Sequence, residues 1–589
     1  MTTETVETDV LVIGSGVAGF FAAIRAKETG VSVVVVDKEQ SGFSGASAHG
    51  AQNIRVIFPG DRLDDFAKES ILWSDYLVDQ DIVYAVVGES YDRFHDLLKW
   101  GVEFMRDENG DIKTLVSDRP YTTKLKNRYV YPDPPSRPTH IGKMKKEALR
   151  LGVSFVDRVL ITGLLTVDSK VAGAVGFNVR DGRFYKIIAK AIVIATGTFH
   201  LPPSHVWYPG PTGMIMAMRA GAELRNMEQG KAFNVPLKGQ VTSFGPYYFD
   251  GEEWWGQKFV NAKGEEFMEQ YELMRRLPGR RHWGPPWRLF IPAIVREWRE
   301  GKGPCYQDLS GCPNYRERMR KYYGGSFNEF EREWDYVAKI RGDLPLSEFW
   351  KVPVELIAGG SGNEGKGGIR VDVNSETRVP GLYAAGIATD TAAHYTSCAS
   401  FTACFTQGHR AGINAAEYAK THSKPVIDEA QVKEFEQEVY APLQCKEGFS
   451  PDDLLVRLAL ISYRYTDVIK CEERLMKGIK EIEKLEGDAE KLTAKDYHYL
   501  AKCHDAKNII RLWEIMARTS LMRQESRADH YREDYPQMDN DKWLKWLIVS
   551  QTEGRLKIVS EDIPFEGKKW KYRPEPGLVD LWRRTNAKD

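Results

Sequence analysis

The chain has 589 residues, of which 42% are hydrophobic and 28% are charged, and its formal net charge is −1. This length exceeds what one hydrophobic core normally supports, so we expect roughly two to four domains of an ordinary soluble protein. The near-zero net charge disfavours nucleic acid as the main partner.

Membrane, export and metal signals are missing from the sequence. No stretch approaches the roughly 18 apolar residues of a membrane span, so we expect no direct membrane insertion. Residues 1–4 lead straight into a folded unit, which predicts neither a signal peptide nor an anchor. The seven cysteines form no CxxC pair and no ligand cluster. We therefore predict no metal site in this chain and a cytoplasmic location, where thiols stay reduced.

The first predicted unit is a strand, a glycine turn, a helix and a second strand, over residues 8–37. The apolar run before Gly14 predicts a buried parallel strand, and apolar side chains recur at helical spacing after Gly19. Gly14 allows the tight turn, Gly16 lets a pyrophosphate approach the backbone, and Gly19 lets the helix pack on the strand. Asp37 ends the second strand, where an acid can accept a hydrogen bond from a ribose hydroxyl. The spacing predicts a dinucleotide-binding fold.

Later segments extend this organisation. Residues 170–177 and 189–197 predict a hairpin that leads into a buried strand ending in a small-residue turn, and residues 381–386 predict another short strand ending in glycine. Residues 230–350 are rich in Trp, Arg, Gly and Pro, which indicates an inserted domain. After about residue 425 the pattern becomes helical and charged.

A family resemblance rests on the N-terminal fingerprint together with residues 44–50, residues 195–197, residues 381–386 and residues 523–536. In this combination the chain resembles the flavoprotein subunits of the fumarate reductase and succinate dehydrogenase superfamily. Within that group it is most similar to the adenylylsulfate reductase alpha subunits, which share the loop at residues 44–50 and the stretches at 170–177, 303–308 and 542–545, the last of them expected in a helical tail.

The resemblance implies an α/β fold, with a Rossmann-like FAD-binding domain, an inserted α+β capping domain and a C-terminal helical domain. The implied boundaries are 1–228 and 351–424 for the two parts of the FAD-binding domain, 229–350 for the capping or substrate domain, and 425–589 for the helical domain and tail.

The resemblance also implies the cofactor and the partners. FAD is expected to bind noncovalently, because Gly45 stands where fumarate reductases have the histidine that bonds to the flavin. His49 is expected to be a loop histidine that contacts the cofactor or the backbone. Because the chain has no cluster cysteines, electrons would need an iron–sulfur, ferredoxin-like partner subunit in a hetero-oligomer, as in anaerobic metabolism. The predicted cofactor-binding residues are Gly14, Gly16, Ala18, Gly19, Asp37, Lys38, Ser44, Gly45, Ala46, Ser47, His49, Gly50, Ala195, Thr196, Gly197, Gly386, Asp390 and Ser397.

Cationic side chains are the predicted substrate contacts. Arg288 lies in a segment that resembles the one supplying the catalytic arginine of the family, and Arg296 is the alternative. His394 falls where the family places a substrate-facing histidine, which can bond an anion or exchange a proton near neutrality. Arg55 and Arg527 are predicted to bind substrate, with the alternative that Arg527 ties the helical domain to the FAD-binding domain.

Two departures from the family pattern concern the pocket. The His-Pro-Thr element that fumarate enzymes carry after a stretch like residues 220–228 is missing here, which weakens the case for a dicarboxylate pocket. Ile387 follows Gly386 where the family usually has an acid that holds the ribityl chain. We expect Asp390 or Thr389 to take the place of that acid.

Three functional hypotheses remain open. The first is an FAD-dependent subunit that exchanges two electrons with a small anionic substrate and passes them to an iron–sulfur partner. The second is an adenylylsulfate reductase alpha subunit, in which the flavin engages sulfur and responds to AMP and sulfite. The third is a flavin relay or structural subunit without a substrate of its own.

Overall fold

A computed structural model describes residues 3–49, 54–117, 127–133, 139–201, 209–232, 258–267, 287–308, 363–365, 367–390, 400–565 and 571–580, with short stretches between 310 and 356. The first elements in chain order are β1 (Thr3–Ile13), α1 (Val17–Glu28), β2 (Val33–Asp37), α2 (Ala46–His49), β3 (Ile54–Arg55), α3 (Leu63–Trp73), α4 (Gln80–Gly88), α5 (Ser90–Lys99), β4 (Leu115–Ser117), β5 (Asn127–Val130), α6 (Thr139–Leu151), β6 (Ser154–Asp157), β7 (Val159–Val167), β8 (Lys170–Asn178), β9 (Phe184–Ile194), α7 (Thr212–Arg219), β10 (Leu224–Arg225) and β11 (Gly230–Ala232).

The later elements are β12 (Lys258–Val260), α8 (Trp287–Arg299), β13 (Cys305–Asp308), β14 (Val354–Leu356), β15 (Asn363–Gly365), β16 (Gly368–Ile369), β17 (Leu382–Ala384), α9 (Ser400–Thr421), α10 (Glu429–Gln444), α11 (Pro451–Ile461), β18 (Ile469–Lys470), α12 (Glu472–Ala489), α13 (Tyr497–Met522), β19 (Tyr531–Arg532), β20 (Gln537–Asp539), β21 (Lys545–Thr552), β22 (Arg555–Asp562) and β23 (Leu578–Asp580).

The main sheet is built around β1, which pairs in parallel with β2 on one side and with β9 on the other. The strand order is β6-β2-β1-β9-β8-β7, and β17 also pairs in parallel with β9. β8 runs antiparallel to both β7 and β9, which confirms the predicted hairpin and the buried strand after it. Because β1, β2, β9 and β17 run in the same direction, their C-terminal ends meet at one edge of the sheet.

Both faces of this sheet are buried. Val10 and Val12 of β1 belong to the core cluster that contains α1, whereas Leu11 and Ile13 belong to the core cluster on the opposite face. A strand whose side chains are apolar on both faces suits a parallel sheet covered on both sides. The apolar run of β1 is continuous in the sequence because the side chains on both faces of the strand are buried.

Helix α9 brings the chain back onto the first unit by packing against α1. A Cβ atom at Gly408 would lie 2.3 Å from the carbonyl oxygen of Ala18, and one at Gly412 would lie 2.3 Å from that of Ala22. Any larger residue at either glycine would push the two helices apart. The chain returns to the nucleotide-binding unit after a long insertion. The close packing of α9 on α1 at this point depends on two glycines one helical turn apart.

The described part of the inserted region has both helix and strand. β13 pairs antiparallel with β12 and with β14, and α8 packs against β13. Cys305 and Gln307 of β13 are buried, and Tyr306 between them is partly exposed, as expected for a strand with one covered face. β14 lies at 354–356, so this small sheet continues past the predicted boundary at residue 350.

The C-terminal region begins with helices and ends with strands. α12 and α13 confirm the helical pattern predicted after about residue 425. The helical tail expected at residues 542–545 is wrong, because residues 542–544 form a turn and an irregular stretch and β21 begins at Lys545. β21 pairs with β22 and with β10, so the end of the chain completes a sheet begun before the insertion. Among the described residues no helix is long and apolar enough to span a membrane.

Candidate dinucleotide-binding site

The turn between β1 and α1 accepts only glycine at two positions. Gly14 has a φ of +102°, and a Cβ atom there would lie 2.5 Å from the carbonyl oxygen of Ala195 in the turn after β9. A Cβ atom at Gly19 would lie 1.9 Å from the carbonyl oxygen of Gly14. The two glycines therefore draw the helix, the turn and β9 together, as the spacing predicts.

The N-terminal end of α1 opens onto a cavity. Gly16 begins the helix and has no side chain with which to cap it, while the N–H of Val17 donates to Ser47 Oγ at 3.2 Å. N–H groups in the first turn of a helix have no intrahelical acceptor, and the helix dipole favours negative charge there. Since Gly16, Val17 and Ala18 line the cavity, this end of it is suited to a phosphate.

The cavity follows the C-terminal edge of the main sheet and measures about 1070 Å³, counting the space open to solvent at its mouth. Most of the predicted cofactor-binding residues line it: Gly14, Gly16, Ala18, Asp37, Lys38, Ser44, Gly45, Ala46, Ser47, Ala195, Thr196, Gly197 and Gly386. Gly19 does not line the cavity, but it allows α1 to pack closely against the turn at Gly14. Sequence reasoning missed several other lining residues, namely Glu39, Thr198, Gly210, Thr212, Cys404 and Asp505.

Asp37 is bound by its own loop. Its Oδ2 accepts hydrogen bonds from the N–H and the hydroxyl of Ser15, at 2.8 and 2.6 Å. Its Oδ1 accepts from the N–H of Glu39 at 2.9 Å and from Ser44 Oγ at 3.2 Å. The carboxylate thus fixes the shape of the loop after β2, a contribution that differs from the ribose contact predicted for it.

Lys38 connects this loop to the C-terminal helices. Its Nζ donates to the carbonyl oxygen of Pro209 at 2.6 Å and lies 3.4 Å from Oδ2 of Asp505, which is on α13. Oδ1 of the same carboxylate accepts a hydrogen bond from Thr212 Oγ1 at 3.2 Å. A residue far along the chain therefore takes part in this end of the cavity.

The second glycine turn lines the cavity with an apolar side chain where the family usually has an acid. The N–H of Gly386 donates to Gln407 Oε1 at 3.0 Å, and Ile387 lines the cavity beside it. Cys404 lies alongside, and burial raises the pKa of its thiol to about 12, so the thiol stays protonated at neutral pH. The Thr389 hydroxyl donates to the carbonyl oxygen of Gly386 at 2.7 Å.

Asp390 does not replace the missing acid, and this prediction is wrong. Its carboxylate is paired with the guanidinium of Arg225, and the two side chains are 1% and 2% exposed. The same guanidinium lies over the ring of Trp546, 4.3 Å from its centroid. Asp390 is therefore held inside the protein against Arg225 of β10, where it neutralises a buried arginine.

Arg527 is also structural, which corrects its assignment to the substrate and supports the alternative that it ties two domains together. Its three guanidinium nitrogens donate to Glu525, to the carbonyl oxygen of Asp75 at 3.0 Å and to Asn540 Oδ1 at 2.9 Å. Glu525 in turn accepts from Arg523, whose side chain is fully buried like those of Glu525 and Arg527. The sequence left both roles open for Arg527, because its partners Asp75 and Asn540 are not adjacent to it in the chain.

Two further predicted cations, Arg55 and Arg296, are not among the residues that line this cavity. Arg55 is 4% exposed, and its guanidinium lies over the ring of Phe66, 4.8 Å from the centroid. Arg296 on α8 bonds the hydroxyl of Tyr531 and lies 5.6 Å from the centroid of that ring. Helix α8 is thereby joined to the motif at residues 523–536.

Some predicted residues lie outside what the structure describes. The helix α8 contains Arg288, and α2 contains His49, but only their backbone is described. Gly50, His394 and Ser397 lie outside the described residues. Within the described ranges no group of His, Cys, Asp or Glu could hold a metal ion.

The cavity fits an extended dinucleotide such as FAD. The glycine turns leave backbone exposed where a pyrophosphate would approach, and the buried Thr196 Oγ1 at the wall has no hydrogen-bond partner among the described residues. The cavity reaches from the loop after β2 across to the turn at Gly386, so it spans both halves of the interrupted unit. A single mononucleotide would fill only part of this length.

Comparison with known proteins agrees with this geometry. Residues 9–400 match the FAD binding domain model, and residues 457–576 match the model described as fumarate reductase flavoprotein C-term. The chain is similar to a fumarate reductase (CoM/CoB) subunit of Methanothermobacter marburgensis, with 26% identity over 94% of this chain and 98% of that protein. Among solved structures, a variant of E. coli quinol fumarate reductase gives a TM-score of 0.80 at 21% identity, covering 96% of this chain and 98% of that one. Adenylylsulfate reductase from Archaeoglobus fulgidus gives 0.75 at 22% identity, covering 97% and 98%.

Proposed function

Because this chain belongs to the fumarate reductase and succinate dehydrogenase family of FAD-dependent oxidoreductases, we propose that it is a flavoprotein subunit that exchanges two electrons with a small anionic substrate. We further propose that it passes these electrons singly to an iron–sulfur partner subunit. The observation that carries the proposal is the continuous cavity between the β1–α1 turn and the Gly386 turn. Bound FAD supplies two-electron exchange with a substrate and one-electron exchange with a carrier.

The flavin is bound without a covalent link in this proposal. Gly45 lines the cavity and offers no side chain to which a flavin could be attached. Affinity then depends on the phosphate-binding end of α1 and on the polar groups along the wall. Acid precipitation should release all of the flavin into the supernatant, and flavin retained in the pellet would contradict noncovalent binding.

A small anionic substrate is proposed because the inserted region supplies cations. Arg288 and Arg296 lie two helical turns apart on α8. Arg296 is bonded to Tyr531, so we assign it the role of holding α8 against the C-terminal motif. We assign to Arg288 the contact with the substrate anion and the supply of a proton, and to His394 a second hydrogen bond to the anion.

The fumarate reductase type of chemistry is favoured over adenylylsulfate chemistry. The chain is 26% identical in sequence to the fumarate reductase protein of Methanothermobacter marburgensis. The similarity to adenylylsulfate reductase, at 22% identity, indicates a shared fold. The sequence similarity therefore supports exchange with an unsaturated or saturated carboxylic acid.

Anaerobic reoxidation of the reduced flavoprotein tests the substrate. The purified protein is reduced chemically, and flavin absorption is followed after addition of fumarate, other conjugated acids or adenylylsulfate. Rapid reoxidation by an unsaturated acid is expected, with a large loss in Arg288→Gln. Arg299→Gln is the matched control, because Arg299 lies on the same helix with a side chain that is 34% exposed and donates to the carbonyl oxygen of Ile469 at 3.5 Å. Reoxidation by adenylylsulfate alone would overturn the substrate class, and no reoxidation by any compound would favour the relay hypothesis.

The partner is tested separately. The intact assembly, isolated under anaerobic conditions, is expected to contain iron and acid-labile sulfide in a second polypeptide, while the flavoprotein alone contains neither. An assembly without iron would contradict the proposed electron path even if the flavin reacts with an acid.

A further inference from the structure

Helix α13 carries an acidic side chain from the C-terminal region into the cofactor cavity. Asp505 lies in this helix, lines the cavity, and has a side chain that is only 4% exposed. It belongs to the part of the chain matched by the C-terminal domain model, well outside residues 9–400 of the FAD binding domain model. Burying a carboxylate costs free energy unless a hydrogen bond or an opposite charge compensates it, so we expect a ligand or a partner beside Asp505.

The contacts made by Asp505 fix its position. Oδ1 accepts from Thr212 Oγ1 at 3.2 Å, and that hydroxyl also accepts from Asn508 Nδ2 at 3.1 Å, one turn further along α13. Oδ2 lies 3.4 Å from Lys38 Nζ. These contacts place the carboxylate beside the C-terminal end of β2, where a strand–helix–strand unit receives the ribose of a dinucleotide.

The two carboxylates at this end of the cavity differ in their capacity to accept further bonds. An ionised carboxylate offers about four acceptor sites. Asp37 receives four hydrogen bonds from Ser15, Glu39 and Ser44, so its acceptor sites are filled. Asp505 receives one hydrogen bond at each oxygen from the described residues, which leaves capacity at both oxygens.

We propose that Asp505, and not Asp37, accepts the hydrogen bonds from the ribose hydroxyls at the adenosine end of FAD. In this arrangement Asp37 shapes the loop, Lys38 balances the charge of Asp505, and the C-terminal helices complete the cofactor site. The inference rests on FAD being the bound dinucleotide. It makes cofactor affinity depend on the docking of α13 against the nucleotide-binding unit.

The experiment measures FAD affinity in the full chain. Apoprotein is titrated with FAD and with FAD analogues that lack the 2′- or 3′-hydroxyl of the adenosine ribose, and binding is followed by quenching of flavin fluorescence. We expect Asp505→Asn to weaken FAD binding about tenfold or more, since a hydrogen bond to a charged acceptor is replaced by one to a neutral amide. The wild-type protein should bind at least one deoxy analogue less tightly than FAD, and Asp505→Asn should lose most of this discrimination.

Asp452→Asn is the matched control. It removes a carboxylate from the same C-terminal region that is paired with Lys502 of α13 and half exposed at the surface, and it should bind FAD and both analogues as the wild type does. Asp505→Glu serves if Asp505→Asn unfolds, because it keeps the charge and displaces the carboxylate by one methylene. It should keep the wild-type tryptophan emission and lose discrimination between FAD and the analogues.

The outcomes separate this inference from the proposed function. Equal affinity of Asp505→Asn and the wild type for FAD would overturn the role of Asp505, as would unchanged discrimination in Asp505→Glu. A wild-type protein that binds both deoxy analogues as tightly as FAD would overturn a ribose contact by either carboxylate. A wild-type apoprotein that binds no FAD would instead refute the assignment of the cofactor.

Discussion

His140 on α6 provides a quantitative test of a buried, uncharged imidazole. The side chain is 1% exposed, and its ring meets the edge of Phe401 with centroids 5.5 Å apart. Neither ring nitrogen has a hydrogen-bond partner among the described residues. Burial lowers the pKa of His140 to about 4, from an ordinary value of 6.5.

The sign and size of the effect follow from this pKa. Between about pH 6.5 and pH 4 the unfolded chain binds a proton at His140 that the folded chain does not, so the free energy of unfolding falls as the pH is lowered. Each pKa unit is worth about 1.4 kcal/mol, which gives about 3 kcal/mol over the whole window and about 2 kcal/mol by pH 5. His140→Phe removes this contribution and keeps the ring packed against Phe401.

Urea unfolding followed by tryptophan fluorescence measures the effect at about pH 7.5 and about pH 5. The free energy of unfolding of His140→Phe, relative to that of the wild type, should rise by about 2 kcal/mol when the pH is lowered from about 7.5 to about 5. His422→Gln is the control, because His422 is exposed on the surface and stacks on Tyr418. A difference between His140→Phe and the wild type that stays constant with pH would refute the reasoning.

Three further changes test contacts described above. Gly14→Ala would place a methyl group 2.5 Å from the Ala195 carbonyl oxygen, so the purified variant should lose most of its FAD, measured as flavin absorption per protein. Asp390→Asn removes the nearer of the two carboxylates beside buried Arg225, since Asp79 lies 4.0 Å from it, and should lower the free energy of unfolding by about 3 kcal/mol in urea. Gly408→Ala forces α1 and α9 apart and should cost about 1–3 kcal/mol, measured as a lower Tm. Wild-type behaviour in any of these variants would contradict the contact on which it is based.

The parts of the site that could be predicted depend on contacts between residues that are close together in the sequence. The turn at Gly14 and Gly19 depends on contacts within one strand–helix unit, so its spacing is visible in the sequence. The helices α12 and α13 are equally local, because their apolar residues recur at the helical period.

The parts that could not be predicted depend on residues far apart in the chain. Asp390 looked available because Arg225, its partner, is 165 residues away. Asp505 gave no signal, since it meets Lys38 across 467 residues of sequence and lies in a helix with an ordinary charged pattern. In β21 the buried run at residues 546–549 is too short for its period to distinguish strand from helix.

The sheet that joins β10 to β21 has a consequence for biosynthesis. Arg225 in β10 pairs with Ile548 in β21, so β10 cannot form this pairing until a strand more than 300 residues later has been synthesised. At about 5–20 residues per second, a ribosome needs roughly 15–65 s to make the intervening chain. During that interval the edge of β10 and the guanidinium of Arg225 lack the Trp546 ring that covers them in the finished protein. Nascent chains that stop before β21 therefore expose an unpaired strand edge, which favours aggregation.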